Sequence, residues 1–170
     1  DNTAVGFTAL YNNTTGTENV AVGKGALDAA TTGNYNTGIG TGALSDHTTG
    51  SDNTAVGRNA LGSNTTASNN TAVGKSALVL NTTGTGNTAV GYSALDANTT
   101  ASNSTAVGAN ALTAATGAEN TAIGEAAGEA VTSGYYNTFV GKDCSKSTTT
   151  GNQNTAVGLS SMKSNTTGDK

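Results

Sequence analysis

The 170-residue chain contains no proline and no tryptophan, and only one cysteine, one methionine and one histidine. Aromatic residues make up 4%, charged residues 11% and hydrophobic residues 34%. Each shortage excludes something. Apolar content well below the usual ~45–50% rules out a globule built around a thick Leu/Phe core and leaves room only for a thin core of small residues. The lone Cys144 cannot close an intrachain disulfide. With His47 the only histidine, neither a His-based metal site nor a Ser-His-Asp set is expected. The net charge of −4, with scattered cations, argues against nucleic acid, whose binding needs clustered Lys and Arg. No apolar run approaches the ~18 residues of a membrane helix, so this segment is not expected to insert in a bilayer. Weak self-repulsion and fixed apolar spacing argue against disorder. Asp1 opens almost directly into the repeat described next, so the chain reads as a segment whose targeting sequence lies elsewhere.

What the chain has is repetition, the feature to seek first in any sequence. The block Asn-Thr-Ala-Val-Gly starts at Asn2 and recurs at Asn19, Asn36, Asn53, Asn70, Asn87, Ser104, Asn120, Asn137 and Asn154. The spacing is 17 residues, except for a 16-residue unit at 104–119 that drops one residue near Thr116. The consensus is N-T-A-V-G-x-x-A-L-x-x-N-T-T-G-x-x. Positions within it are numbered 1 to 17 below. Position 5 is always Gly: Gly6, Gly23, Gly40, Gly57, Gly74, Gly91, Gly108, Gly124, Gly141 and Gly158. Positions 6, 7, 10, 11, 16 and 17 vary freely and are read as solvent-facing.

A 17-residue period is too short for a helix pair, which needs roughly 33 residues or more. Gly, Asn and Thr are also poor helix formers. The Thr-x-Val alternation is a strand signal, the Gly after it a bend or positive φ, Ala-Leu a second short strand, and Thr-Thr-Gly a further corner. The expected fold is therefore all-β: one single-chain β-solenoid (a β-roll) of ten coils over residues 1–170, its strands spaced ~4.8 Å apart. Two stacked apolar columns form the expected core: Val5, Val22, Ile39, Val56, Val73, Val90 and Val107, and Leu10, Leu27, Leu44, Leu61, Leu78, Leu95 and Leu112. Position 3 has the opposite phase to position 4. Ala4, Ala21, Ala55, Ala72, Ala89, Ala106, Ala122 and Ala156 are therefore expected to point outward, as a small apolar column against which another chain packs.

The Asn columns are read as side-chain ladders or backbone turns. Cys144 stands at an Ala position and is read as a small buried substitute. His47 stands where Asn13, Asn64, Asn81, Asn98 and Asn165 recur and is read as a surface substitute. Leu is replaced by Gly128, Ser145 and Met162 toward the C-terminus, where a less regular coil is expected. Neither a phosphate loop nor a calcium nonapeptide occurs; segments such as Gly38-Ile39-Gly40 are corners of the repeat. No catalytic residue, cofactor site or metal site is assigned, and the chain is not read as an enzyme. Sequons such as Asn64-Thr65-Thr66 and Asn81-Thr82-Thr83 would matter only in a glycosylating cell.

The motif N-T-A-V-G-x-x-A-L resembles the head repeat S-V-A-I-G-x-x-A-x-A of YadA-like trimeric autotransporter adhesins. Ala4-Val5-Gly6 and Ala9 match its central residues, and the likeness recurs in every unit. NTAVG-repeat proteins of bacteria and phages, some of them tail-fibre-like, are similar too. The resemblance implies a left-handed β-roll packed as a parallel homotrimer, extracellular, on a cell surface or in a virion fibre. There it would serve as an adhesive or structural segment with self as partner and a host-surface or matrix ligand at variable positions such as Lys24, Tyr11, Tyr35, Tyr92, Tyr135 and Tyr136. This period is longer than the family's, and Thr3 stands where the family often has Val. Two alternatives share the fold: an ice-binding solenoid using the Thr ranks that begin at Thr14 and Thr15, and a filament subunit stacking end to end through open strand edges.

Overall fold

A computed structural model describes residues 1–169. Ten strands of three residues each follow one another: β1 Thr3–Val5, β2 Val20–Val22, β3 Thr37–Ile39, β4 Thr54–Val56, β5 Thr71–Val73, β6 Thr88–Val90, β7 Thr105–Val107, β8 Thr121–Ile123, β9 Thr138–Val140 and β10 Thr155–Val157. They form one sheet in chain order. Every neighbouring pair is parallel with like positions opposite, for example Thr54↔Thr71, Ala55↔Ala72 and Val56↔Val73. The chain is thus an all-β solenoid, with no helix among the described residues. The short unit keeps the register, since β7 still pairs Thr105↔Thr121 with β8. Its missing residue is absorbed in the corner after Thr116.

Only one strand forms per coil. The expected second strand at Ala-Leu is a turn, although it too is hydrogen-bonded from coil to coil (Leu27 N to Ala43 O 3.0 Å, Leu61 N to Ala77 O 3.0 Å). Its geometry is left-handed at two sites: position 9 has φ between 50° and 60° in every coil, Leu78 at 51° among them, and position 7 behaves alike, from Thr8 at 54° to Ser160 at 52°. For a residue with a Cβ this conformation costs ~1–2 kcal/mol. Burying a leucine side chain returns ~1.5–3 kcal/mol, so the Leu anchor outweighs its own strain. The corner glycines fall where the sequence places them and adopt φ of 124–138°. A Cβ on Gly40 would lie 2.6 Å from the Gly57 carbonyl oxygen of the next coil, so this corner admits no other residue without separating the coils.

The core corrects the expected phase of the strand. Position 3 points inward: Ala21, Ala55, Ala72, Ala89, Ala106 and Ala122 are fully buried and Ala156 nearly so, while Ala4, in the first coil, is exposed. Position 4 points outward. Val5, Ile39, Val73, Ile123 and Val157 are exposed, and Val22, Val56, Val90, Val107 and Val140 half-buried. The Val column is therefore not core, and the Ala column is not an inter-chain surface. The cause is width. Inside each coil the inward residue of a three-residue strand faces the turn, and Leu at position 9 fills that space, leaving room for nothing larger than Ala opposite it. Leu27, Leu44, Leu61, Leu78, Leu95 and Leu112 are buried as expected, with Leu10 partly so at the first coil.

Candidate functional site

Three polar ladders, at positions 1, 12 and 13, hold the coils in register and account for residues that might otherwise read as binding groups. At position 1 the buried Asn residues before the last coil accept from the next coil's backbone: Asn36 N donates to Asn19 Oδ1 at 2.9 Å, and Asn36 Nδ2 donates to Gly50 O at 3.0 Å. Ser104 continues the chain of bonds by accepting from Asn120 N at 3.2 Å. The Asn residues are thus both ladder and turn, and they are spent inside the fold. At position 13 the Thr hydroxyl donates to the next coil's Thr carbonyl, as Thr48 Oγ1 does to Thr65 O at 2.9 Å. The rank beginning at Thr14 is therefore occupied internally. The neighbouring rank, including Thr15, Thr32, Thr49, Thr66, Thr83 and Thr100, faces solvent.

His47 is fully buried, not a surface substitute. It takes part in an internal ladder at position 12: His47 Nε2 donates to Gly50 O at 2.8 Å, so Nδ1 is free to accept from Asn64 Nδ2 at 3.0 Å. Asn81 Nδ2 then donates to Asn64 Oδ1, and Asn98 Nδ2 to Asn81 Oδ1. The ladder stops where Ala115 follows, leaving Asn98 Oδ1 buried without a donor. Desolvation holds the His47 pKa below its ordinary 6.5, against the opposing pull of its hydrogen bond to the Gly50 carbonyl. Asn64 and Asn81, the acceptor residues of two sequons, are buried in the same ladder, out of reach of any glycosylating enzyme acting on the folded chain. Cys144 is buried, as a small-residue position requires.

Among the described residues no group of His, Cys, Asp or Glu is placed to hold a metal ion, no pocket opens, and no helix is long and apolar enough to cross a membrane. The feature that stands out is the outer face of the sheet. It carries two columns about two residues, roughly 6.6 Å, apart. One is Thr at position 2, with Val20 the single exception, and the other is Val or Ile at position 4 in all ten strands. Ten outward β-branched apolar side chains in line form an unpartnered apolar stripe, the kind of surface that marks an interaction site.

The two margins of this face differ in charge. On the N-terminal side of the strands lies position 17, with Glu18, Asp52 and Glu119 exposed and each held outward by a left-handed backbone (φ 58°, 60° and 60°). On the C-terminal side lies position 6, with Lys24, Arg58, Lys75 and Lys142 exposed. Four of the chain's seven Lys and Arg stand in that one column. Lys75 lies 5.4 Å from the centroid of the Tyr92 ring, and Lys142 pairs with Glu125 at 2.9 Å. The hydrogen bond to Glu125 raises the Lys142 pKa. Tyr11, Tyr35, Tyr135 and Tyr136 are exposed on the corners. Sequence reasoning missed this face because it assigned Val to the interior. The charge segregation was readable from positions 6 and 17, had those been placed on either side of one strand.

No protein family, no curated protein and no solved structure matches the chain.

Proposed function

We propose that the chain is a segment of a homotrimeric extracellular fibre, on a cell surface or a virion, which extends or attaches through side-by-side packing of identical β-rolls of left-handed coil. The observation that carries this reading is the outward Val/Ile column. A ruled apolar stripe on the flat side of a solenoid is covered at little entropic cost by the same stripe on another copy, because both are rigid and share one repeat. Covering it removes apolar area from water at ~25 cal/mol per Å². The resemblance to trimeric adhesin heads agrees with this reading, with one change: the Thr/Val face, not the Ala column, is the contact surface. Tyr11 and Tyr135, exposed at positions 10 and 16, lie off both margins of this face and are available to a host-surface or matrix ligand.

The test is the native mass of the 16.5 kDa chain, by light scattering during gel filtration. Three chains per particle are expected, and the doubly substituted Val56→Lys/Val90→Lys chain is expected to be monomeric yet folded. A wild-type monomer at high concentration ends the proposal.

One observation favours a second reading. The in-register Thr-x-Val ranks form a regular array of hydroxyls and methyls, the type of surface that orders water as ice does. It supports an ice-binding reading that uses position 2, beginning at Thr3, in place of the corner Thr ranks. It predicts thermal hysteresis lost in Thr71→Tyr; absence of hysteresis in the wild type removes it.

A further inference from the structure

The internal seam at position 12 has a fixed polarity, and it breaks where alanine replaces asparagine. In its continuous stretch each Asn amide bridges two oxygens. Asn81 Nδ2 donates to Asn64 Oδ1 of the preceding coil at 3.1 Å and to the position-15 carbonyl of its own coil, Gly84 O, at 3.0 Å. Asn98 Nδ2 donates likewise to Asn81 Oδ1 and to Ala101 O, each at 3.0 Å. The position-15 carbonyl takes a second hydrogen from the Asn at position 1: Gly84 O from Asn70 and Ala101 O from Asn87. Two acceptors therefore depend on every position-12 amide, and an alanine there deprives both.

This happens at Ala30 and at Ala115, both fully buried. Ahead of Ala30, Asn13 Oδ1 is buried with no donor, and among the described residues Gly33 O receives only the Asn19 amide, at 2.8 Å. Ahead of Ala115, Asn98 is 1% exposed and its Oδ1 is again without a donor, while Gly117 O receives only the Asn120 amide, at 3.1 Å. The second break lies in the 16-residue unit, where Ser104 at position 1 brings no amide either. The two breaks thus share one signature: an unpaired amide oxygen facing an alanine, beside a carbonyl that lacks a donor present in other coils.

We infer that one enclosed water occupies the seam at Ala30 and another at Ala115, each donating one hydrogen to the preceding coil's Asn Oδ1 and the other to the position-15 carbonyl. A water carries the same two donors as the missing amide. It also needs less room than the carboxamide that alanine leaves out, and a buried water is stable where polar partners of this kind converge. A metal ion does not fit, because it would need several more oxygen ligands, and no acid stands at position 1, 12 or 15 of these coils. The step after Ala115 is the contrast. Ala115 offers no acceptor to the coil that follows, and the residue there is the fully buried Val131, so that step of the seam is dry.

The test is a crystal structure of the chain at a resolution that shows ordered solvent, paired with the Ala115→Val variant. The expected result is one solvent peak at hydrogen-bond distance from Asn98 Oδ1 and Gly117 O, and another from Asn13 Oδ1 and Gly33 O. No peak at either break overturns the inference, as does a peak ringed by further oxygens at metal-ligand distance. Ala115→Val should lose the peak at its own break, keep the one at Ala30, and unfold at a lower temperature, because the water is displaced and Asn98 Oδ1 is left unpaired. A higher unfolding temperature overturns the inference, since that is the effect of filling a dry cavity. None of these outcomes depends on whether copies of the chain associate, so failure here leaves the fibre reading standing.

Discussion

The coils from β2 to β7 and those from β8 to β10 build the same cross-section with different interiors. The earlier coils are anchored by Leu27, Leu44, Leu61, Leu78, Leu95 and Leu112, all buried. The later ones have Gly128, Ser145 and Met162 at that position, yet strand length and register are unchanged. Phe139 supplies the missing volume. It occupies the inward position of β9, where other coils have Ala, and is fully buried. A Cβ on Gly128 would lie 2.8 Å from its ring carbon Cδ2. The reverse exchange occurs in β3, where a Cβ on Gly38 would sit 3.3 Å from Leu27 Cγ. Core volume is thus conserved locally while its source moves between coils. The perimeter allows no such exchange: Gly at position 5 and Thr at position 13 persist through both regions. The later coils also add surface ion pairs, Lys142 with Glu125 and Lys146 with Glu129 and Asp143. Exposed pairs of this kind contribute little. The comparison teaches that backbone closure between coils constrains this fold more tightly than the identity of its core.

The largest effect should come from breaking what the two regions share. Gly40→Ala and Gly124→Ala each put a Cβ 2.6 Å from the next coil's carbonyl oxygen. Both are expected to destabilise by upward of ~3 kcal/mol, to a similar extent in the two regions. Chemical denaturation checks this, and a tolerated substitution at either site would refute the closure argument. Next is the exchanged volume. Leu61→Ala should cost ~2–5 kcal/mol and Phe139→Ala ~3–5 kcal/mol. Adding Gly128→Leu to Phe139→Ala should recover a substantial part of the loss, because position 9 already has the φ at which leucine stands elsewhere (60° at Gly128, 51° at Leu78). The double variant's midpoint, compared with the two singles, decides it.

A smaller effect sharpens the contrast. Ser145 carries a buried hydroxyl with no hydrogen-bond partner, and such an unpaired group costs ~1–3 kcal/mol. Ser145→Ala is therefore expected to stabilise by ~1 kcal/mol, read from the thermal midpoint. The smallest effect concerns acid. Because burial depresses the His47 pKa, the folded state favours neutral imidazole. Its contribution is complete above the ordinary value of 6.5 and is lost as pH falls through the lowered folded value. His47→Asn, matching Asn64 and Asn81, should flatten this component of a stability-versus-pH profile. An unchanged profile would show that His47 does not titrate with unfolding.

Much of the fold was legible from repetition alone. The unit length, the coil count, the parallel in-register stacking, the Leu anchors, the corner glycines and the buried Cys144 all follow from a 17-residue pattern. The phase of the strand was not legible, for a physical reason. A strand of three residues offers one alternation, and Ala and Val are both apolar, so pattern cannot say which faces in. The narrow coil decides it by excluding Val. The turn at position 9 was hidden because leucine is not a signal for a left-handed backbone; position 7, confined to Thr, Gly, Asn, Ser, Ala and Asp, was the readable hint. His47 was misplaced because Asn columns usually mark surface corners, whereas here they are the internal hydrogen-bonded seam. The candidate site was not read from sequence: the cations were taken as scattered, although four of the seven share position 6, and the face between the charge columns had been assigned to the core.

The most direct test compares two adjacent residues of one strand, Ala89→Cys and Val90→Cys, by rate of thiol labelling across a dilution series. The account predicts that Ala89→Cys is protected at every concentration. Val90→Cys should be protected when concentrated and become reactive on dilution, as copies separate and bare the Thr/Val face. Rapid labelling of Ala89→Cys, or labelling of Val90→Cys that does not change with concentration, would contradict it.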